Sequence, residues 1–315
     1  MSLLNENVVT LVKLETTYGV DAAPTGADAV MTSRVQLTPM ESQTVSRDLD
    51  KPSSGSDLEI TVGVHAMIEF RVELVGSGSL GVAPAFGKLL KACRCGETIV
   101  ATTSVAYRPL RSSTTSATIA FYLDGNLHKL VGARGTFRLE IDSQNIPYLV
   151  FTFTGLYVDP SAAANPVALT GWDAFKIPQP VNFANTPTPT LHGYTAVYTA
   201  FRFDAGNQVS VFNNPGEREV KIVSHAATGS ITMLAPAIGT KDFFAAAKNN
   251  VLGTMQIEHG TVDEEKWFLD CAEDTVQVIR PRYGDNEGRA TLEADLNFVP
   301  TAAGGDEWEL RFAAA

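Results

Sequence analysis

Over most of its length the chain alternates apolar and polar residues at every second position, the period of a half-buried β-strand. The clearest runs are Leu58-Glu-Ile-Thr-Val-Gly-Val64, Ile68-Glu-Phe-Arg-Val-Glu-Leu-Val75, Ala117-Thr-Ile-Ala-Phe-Tyr-Leu123 and Thr136-Phe-Arg-Leu-Glu-Ile141. Leu149–Thr154, Tyr194–Phe203 and Gly288–Phe298 continue the pattern. Asp124-Gly125 predicts a tight hairpin turn, and Asn213-Asn-Pro-Gly216 a second sharp turn. Helical spacing is rare. After Pro84, residues Phe86, Leu89, Leu90 and Cys93 share one helix face. A second short helix is expected from Thr240 as N-cap to Asn249-Asn250, with Asp242 complementing its dipole and Phe243, Phe244 and Ala247 facing inward.

The order of these elements repeats, although the residues do not. The first part reads as a strand at Val35–Leu37, a long polar stretch from Glu41 to Asp57 and two strands within 58–75. A helix at 84–93, a hairpin about Asp124-Gly125 and strands at 136–141 and 147–158 follow. The second part reads as a strand ending near Phe203, a polar hairpin over Asn207–Glu219 and strands near 220–224 and 229–234. A helix at 241–249 and strands near 254–258, 266–270, 275–280 and 289–299 complete it. The expected fold is mainly β, with two tandem sandwich or barrel domains, each carrying one short helix and a long polar loop. The expected boundaries are 1–160, a linker over 161–190 that includes the Pro-rich stretch Pro178–Pro189, and 191–315. At 315 residues the chain has the length of about two domains.

Charge narrows the functional classes. Lys and Arg number 24 against 35 Asp and Glu, a formal net charge of −11. Such a chain lacks the clustered cations that neutralise phosphate, which argues against a nucleic-acid binder. The opening Met1–Asn7 has neither a basic nor a long apolar region and does not read as a signal peptide. No apolar run is long enough to span a bilayer, so no membrane partner is expected. Three cysteines, Cys93, Cys95 and Cys271, are too few for a disulfide framework and read as reduced structural thiols.

Candidate chemistry is sparse. Gly76-Ser-Gly78-Ser-Leu-Gly81 fits the spacing of a dinucleotide loop between a strand and a helix. The alternating strands and long helices of such a fold are missing, so the motif reads as a flexible strand-to-helix loop. The histidines are scattered, and His259 with Glu258, Asp263, Glu264 and Glu265 reads as a solvated loop rather than a cation site. No nucleophile motif is present, so neither enzyme activity nor a cofactor or metal is expected. Glu69, Arg71 and Glu73 share one face of a strand whose other face carries Phe70, Val72 and Leu74. The segments Glu41–Asp57 and Asn207–Glu219 exceed ordinary hairpin loops and read either as disordered insertions or, the favoured reading, as arms that order against a neighbouring subunit. Trp172, Trp267 and Trp308 are too far apart in sequence to suggest the aromatic platform of a carbohydrate-binding sandwich.

The segment Val12-Lys-Leu-Glu-Thr-Thr-Tyr-Gly-Val-Asp-Ala-Ala-Pro24 resembles the N-terminal signature of major tail proteins of long, non-contractile-tailed bacteriophages. The order of strand, long loop, sandwich, single helix and closing strands is similar to the tail-tube fold. That resemblance implies a virion protein made in the bacterial cytoplasm, whose copies close into rings and stack into the tube through which the genome leaves. It also implies contact with tail terminator, tape measure and distal tail proteins, and DNA passing without specific binding. Two fused tube domains imply three chains per ring with pseudo-sixfold symmetry. Glu69, Arg71 and Glu73 then become candidates for the luminal strand face. Ser42, Arg47, Asp48, Asp50, Lys51, Asn213, Asn214, Glu217 and Arg218 become candidates for contacts between rings. A minor ring component of a tail, or the tube of a related injection system, is the alternative.

Overall fold

β-Branched and aromatic residues at alternate positions pair into antiparallel ladders along the whole chain. This computed structural model describes every residue except 1, 2, 5, 53, 188 and 315. Met1, Ser2 and Asn5 of the opening, Ser53 of the first polar stretch and Thr188 of the Pro-rich stretch therefore lie outside the described residues. The first strands are β1 (Val8–Leu14), β2 (Ala29–Val30), β3 (Ser33–Val45), β4 (Ile60–Glu73) and β5 (Cys95–Val100). Then come β6 (Ser104–Pro109), β7 (Ala117–Leu123), β8 (Asn126–Asp142) and β9 (Tyr148–Ala162). Beyond these lie β10 (Thr190–Leu191), β11 (Tyr194–Thr195), β12 (Tyr198–Asp204), β13 (Asn207–Asn214) and β14 (Glu217–His225). The last are β15 (Thr228–Leu234), β16 (Leu252–His259), β17 (Trp267–Asn286), β18 (Arg289–Phe298) and β19 (Glu309–Ala313). Helix α1 (Gly87–Ala92) follows β4, and α2 (Phe243–Lys248) follows β15.

Two layers enclose the core. The first runs β3-β4-β9-β8-β12-β15-β18-β17, every neighbour antiparallel. The second runs β5-β6-β19-β17-β16-β10-β11. β17 serves both layers, because its start pairs with β16 and β19 and its end with β18. The separate strands expected near 266–270 and 275–280 are therefore one strand of 20 residues. The two strands expected within 58–75 are likewise one, β4, carried through Gly63 at φ +66°.

Between the layers sits one continuous apolar cluster drawn from both ends of the chain. Phe137 packs edge-on to Trp308 with ring centroids 5.6 Å apart, and Phe203 meets Trp308 at 5.2 Å and Phe298 at 5.1 Å. Each fully buried side chain of this size contributes about 1.5–3 kcal/mol. The ladders also cross the middle of the chain, through β8 with β12 and β6 with β19.

The helices are short. Phe86, Leu89, Leu90 and Cys93 are buried, as their spacing requires. The N-cap of α2 is Asp242 rather than Thr240: its carboxylate accepts the Ala245 amide at 2.8 Å, while the amides of Thr240 and Lys241 bond to Ala237 in a preceding turn. Asp124 and Gly125 both take positive φ, as a primed hairpin turn demands. The connecting segment after β9 is tied to the body around Val181. The Val181 amide donates to Asn145 at 2.8 Å, the Gln144 amide donates to Val181 at 2.9 Å, and Val181 is buried. Among the described residues no helix is long and apolar enough to cross a membrane.

Candidate functional site

The first layer has a core face and a polar face. In β4, Ile68, Phe70 and Val72 are buried while Glu69, Arg71 and Glu73 point the other way, as strand alternation dictates. The same alternation brings Arg138, Glu140 and Asp142 of β8, Arg202 and Asp204 of β12 and Glu293 and Asp295 of β18 onto the polar face. Five arginines on it are each held by a carboxylate. Arg71 meets Glu140 at 3.0 Å, Arg138 meets Glu69 at 3.3 Å, and Arg202 reaches both oxygens of Asp142 at 2.7 and 2.8 Å. Arg280 meets Asp295 and Arg282 meets Glu293, each at 2.8 Å. Glu69 also accepts the Thr152 hydroxyl at 2.9 Å. Such half-exposed cross-strand pairs stabilise by only about 0.2–1 kcal/mol each. Their larger consequence is electrostatic: each guanidinium is matched to a carboxylate, whereas Glu73 and Asp204 have no salt bridge among the described residues. The face therefore offers little uncompensated positive charge to a phosphate.

Among the described residues, two edges of this layer are open. β3 pairs with β4 on one side only, and β17 beyond Gln277 pairs with β18 on one side only. Tyr283 on the second edge is 57% exposed. Open edges carry rows of unpaired backbone donors and acceptors and invite another strand.

Two arms project. Arm one is the distal part of the β3–β4 hairpin. Its loop closes on itself: Lys51 pairs with Asp57, the Leu49 amide donates to Asp57 at 3.2 Å, and the Ser46 hydroxyl donates to Asp48 at 3.0 Å. Arg47, Asp48, Asp50 and Lys51 are exposed and Ser42 is half-buried. Met40, Val45, Leu49, Leu58, Ile60 and Val62 are exposed too, an unusual concentration of apolar surface on one arm.

Arm two is the β13–β14 hairpin, and its base is docked. Val220 is fully buried, packed with Val131 and Leu156, while Val209 and Val211 cover them together with Tyr18. Arg134 is its anchor: the guanidinium donates to Glu219 and to the Val220 carbonyl, both at 2.7 Å, and to the Thr114 carbonyl at 3.0 Å. It lies 4.7 Å from the centre of the Tyr18 ring. Burial pushes the Tyr18 hydroxyl pKa up, although the Val220 amide and Arg134 oppose the shift. Asn207 donates from its side chain to the Cys93 carbonyl at 2.7 Å and to the Gly135 carbonyl at 3.2 Å. At the other foot of the arm His225 meets the buried Glu307 at 2.7 Å. The tip residues Asn213, Asn214, Glu217 and Arg218 are exposed, and Arg218 donates to the Val64 carbonyl at 3.4 Å.

The remaining motifs have structural roles. The amides of Gly76 and Gly78 donate to Glu265 at 2.9 Å and Glu264 at 3.0 Å, so the glycine loop is pinned to the chain rather than flexible. A Cβ at position 76 would meet the Glu264 carbonyl oxygen at 2.7 Å, which explains the glycine. His259 is buried rather than solvated. Its ring bonds the Thr186 hydroxyl at 2.9 Å and the Gln179 carbonyl at 3.0 Å, and burial lowers its pKa. Lys266 pairs with Glu258 at 3.1 Å and Asp263 at 3.3 Å. Among the described residues no three metal-ligating side chains converge, the three cysteines are free and buried, and Trp267 and Trp308 are buried.

A β-rich body with a charge-paired face, open sheet edges and long arms has the equipment of a structural protein that associates. The chain belongs to the phage tail tube protein family, which matches residues 6–300. It is thus a structural component of the virion tail, of a family that self-assembles into a tube alongside other tail proteins. A search among curated proteins finds no match.

Proposed function

We propose that this chain is the major tube subunit of a long, non-contractile phage tail, with two tandem tube domains over 1–160 and 191–315 and a packed connector over 161–190. Three copies form a ring with pseudo-sixfold symmetry, rings stack, and the genome leaves through the bore. The observation that carries this reading is the first layer itself. Four strands from residues 33–162 and four from residues 198–298 form one sheet whose two outer borders are unpaired. Joining such borders between copies removes the exposed edges.

Glu69, Arg71 and Glu73 line the bore in this reading, where matched charges and the extra carboxylates let DNA slide past. Ser42, Arg47, Asp48, Asp50 and Lys51 on arm one, with Asn213, Asn214, Glu217 and Arg218 on arm two, reach the next ring. The tube ends meet tail terminator and distal tail proteins, and a tape measure protein occupies the bore before ejection. Negative-stain microscopy of the concentrated protein tests the reading: hollow rings or tubes are expected, and a monodisperse monomer at every concentration would reject it.

A further inference from the structure

The two open edges carry a more specific prediction, because the molecule contains a template for how they meet. Lay the β15–β18 rung Ile231–Ala294 on the β4–β9 rung Phe70–Phe151, so that buried residues match. β4 and β15 then end together, Glu73 with Leu234, and β8 and β17 end together, Asp142 with Asn286. β3 falls on β12, with Val35 and Leu37 at the places of Phe201 and Phe203. α1 falls on α2, and arm one falls on arm two. The repeat holds in register, not only in order.

Within one chain β12 pairs with β8 through the rungs Arg138–Asp204, Leu139–Phe203, Glu140–Arg202 and Ile141–Phe201. The counterpart of β8 is the open edge of β17, and the counterpart of β12 is the open edge of β3. These borders lie at opposite ends of the eight-stranded layer, and among the described residues they do not pair with each other.

We propose that β3 of a second copy of this chain pairs antiparallel with β17 in the register that β12 takes on β8. The rungs are Arg282–Thr38, Tyr283–Leu37, Gly284–Gln36 and Asp285–Val35, the β3 residue coming from the second copy each time. Tyr283, 57% exposed with one side of its ring on Phe244, meets Leu37 as Leu139 meets Phe203. The next rung in this register sets exposed Arg34 opposite Asn286, as Ala200 lies opposite Asp142. The contact is head-to-tail, so it propagates around a ring.

Arm one follows the same template. Arm two docks where Asn207 bonds the C-cap of α1, Cys93. The C-cap of α2 is Asn249, beside exposed Val251 and Leu252. The base of arm one from the second copy covers that place, which buries its exposed apolar residues as arm two buries Val220 within its own chain. The tip of arm one stays free for a neighbouring ring. This inference rests on the ring reading and adds the identity of the strands, their register and the docking place of the arm.

Cysteine pairing tests it on the full-length chain. L37C and Y283C chains are mixed, assembled and oxidised, and denaturing gels are run without reductant. A covalent dimer is expected, and the doubly substituted chain should give a ladder of larger covalent species. A pair displaced by two residues, V35C with Y283C, should cross-link on the order of ten times less, because disulfide geometry tolerates little offset. Tubes that form normally without the L37C–Y283C link, or that link the displaced pair better, overturn the register while leaving the ring reading intact. A chain that neither assembles nor cross-links, yet remains folded by circular dichroism, overturns both.

Discussion

The two arms occupy equivalent places in the fold and are finished in opposite ways. Arm two has a buried valine, an arginine clamp and a tyrosine lid at its base, all within one chain. Arm one has six exposed apolar residues, and its loop is closed by polar bonds to itself. A hairpin in isolation is marginal in water, and three or more strands or an apolar platform are needed to hold it. Arm two has its platform. Arm one carries the apolar residues for one, which is the physical reason to look for that platform on another molecule.

Removing arm one should have the largest effect on assembly and the smallest on folding. Deleting residues 43–55 takes away little packed surface, so the chain should remain folded and soluble but form no tubes in negative stain. Tubes of normal length from the deletion would count against the arm. Arg134→Ala should do the reverse. It leaves Glu219 and several carbonyls without their donor, at a cost of about 2–3 kcal/mol. The urea midpoint should fall, and limited proteolysis should cut within 207–225 first. If the melt is unchanged, arm two is not anchored as described.

A smaller, pH-dependent effect should separate the packed connector from the arms. His259 holds Thr186 and the Gln179 carbonyl in its neutral form, and burial sets its folded pKa below the ordinary 6.5. The unfolded chain therefore takes up a proton more readily than the folded one. The stability due to neutral His259 is complete above about pH 6.5 and declines as the pH falls toward the lowered folded value. Urea melts at descending pH should show this decline, and His259→Gln should flatten it at some loss of stability near neutrality. An unchanged slope in the variant would assign the dependence to other groups. The least effect is expected from Glu73→Gln, which should change stability by no more than about 0.5 kcal/mol because the side chain is exposed.

Local pattern carried much of this architecture. Alternation located β4, β7, β9, β12 and β18, Asp124-Gly125 located a hairpin, and Phe86, Leu89, Leu90 and Cys93 located the buried face of α1. What depends on distant partners was not legible. The stretch Ala272-Glu273-Asp274-Thr275 breaks the alternation, and β17 persists through it because ladders on either side hold both of its halves. The joining of β8 to β12 is likewise invisible, since it links residues far apart in sequence. The same holds for Arg134, whose place in Val131-Gly-Ala-Arg-Gly135 resembles any polar residue between strands until Glu219 and Tyr18 arrive from elsewhere. The candidate strand face at Glu69, Arg71 and Glu73 was legible as a face, but its matching carboxylates and arginines on β8 were not.

The equivalence of the two four-stranded borders is tested most directly by electron cryomicroscopy of assembled tubes, at a resolution that traces the strands. The account predicts three chains around each ring, with the seam between chains repeating the β8–β12 seam within a chain. A ring of six chains, or a seam that leaves β3 and β17 unpaired, would contradict it.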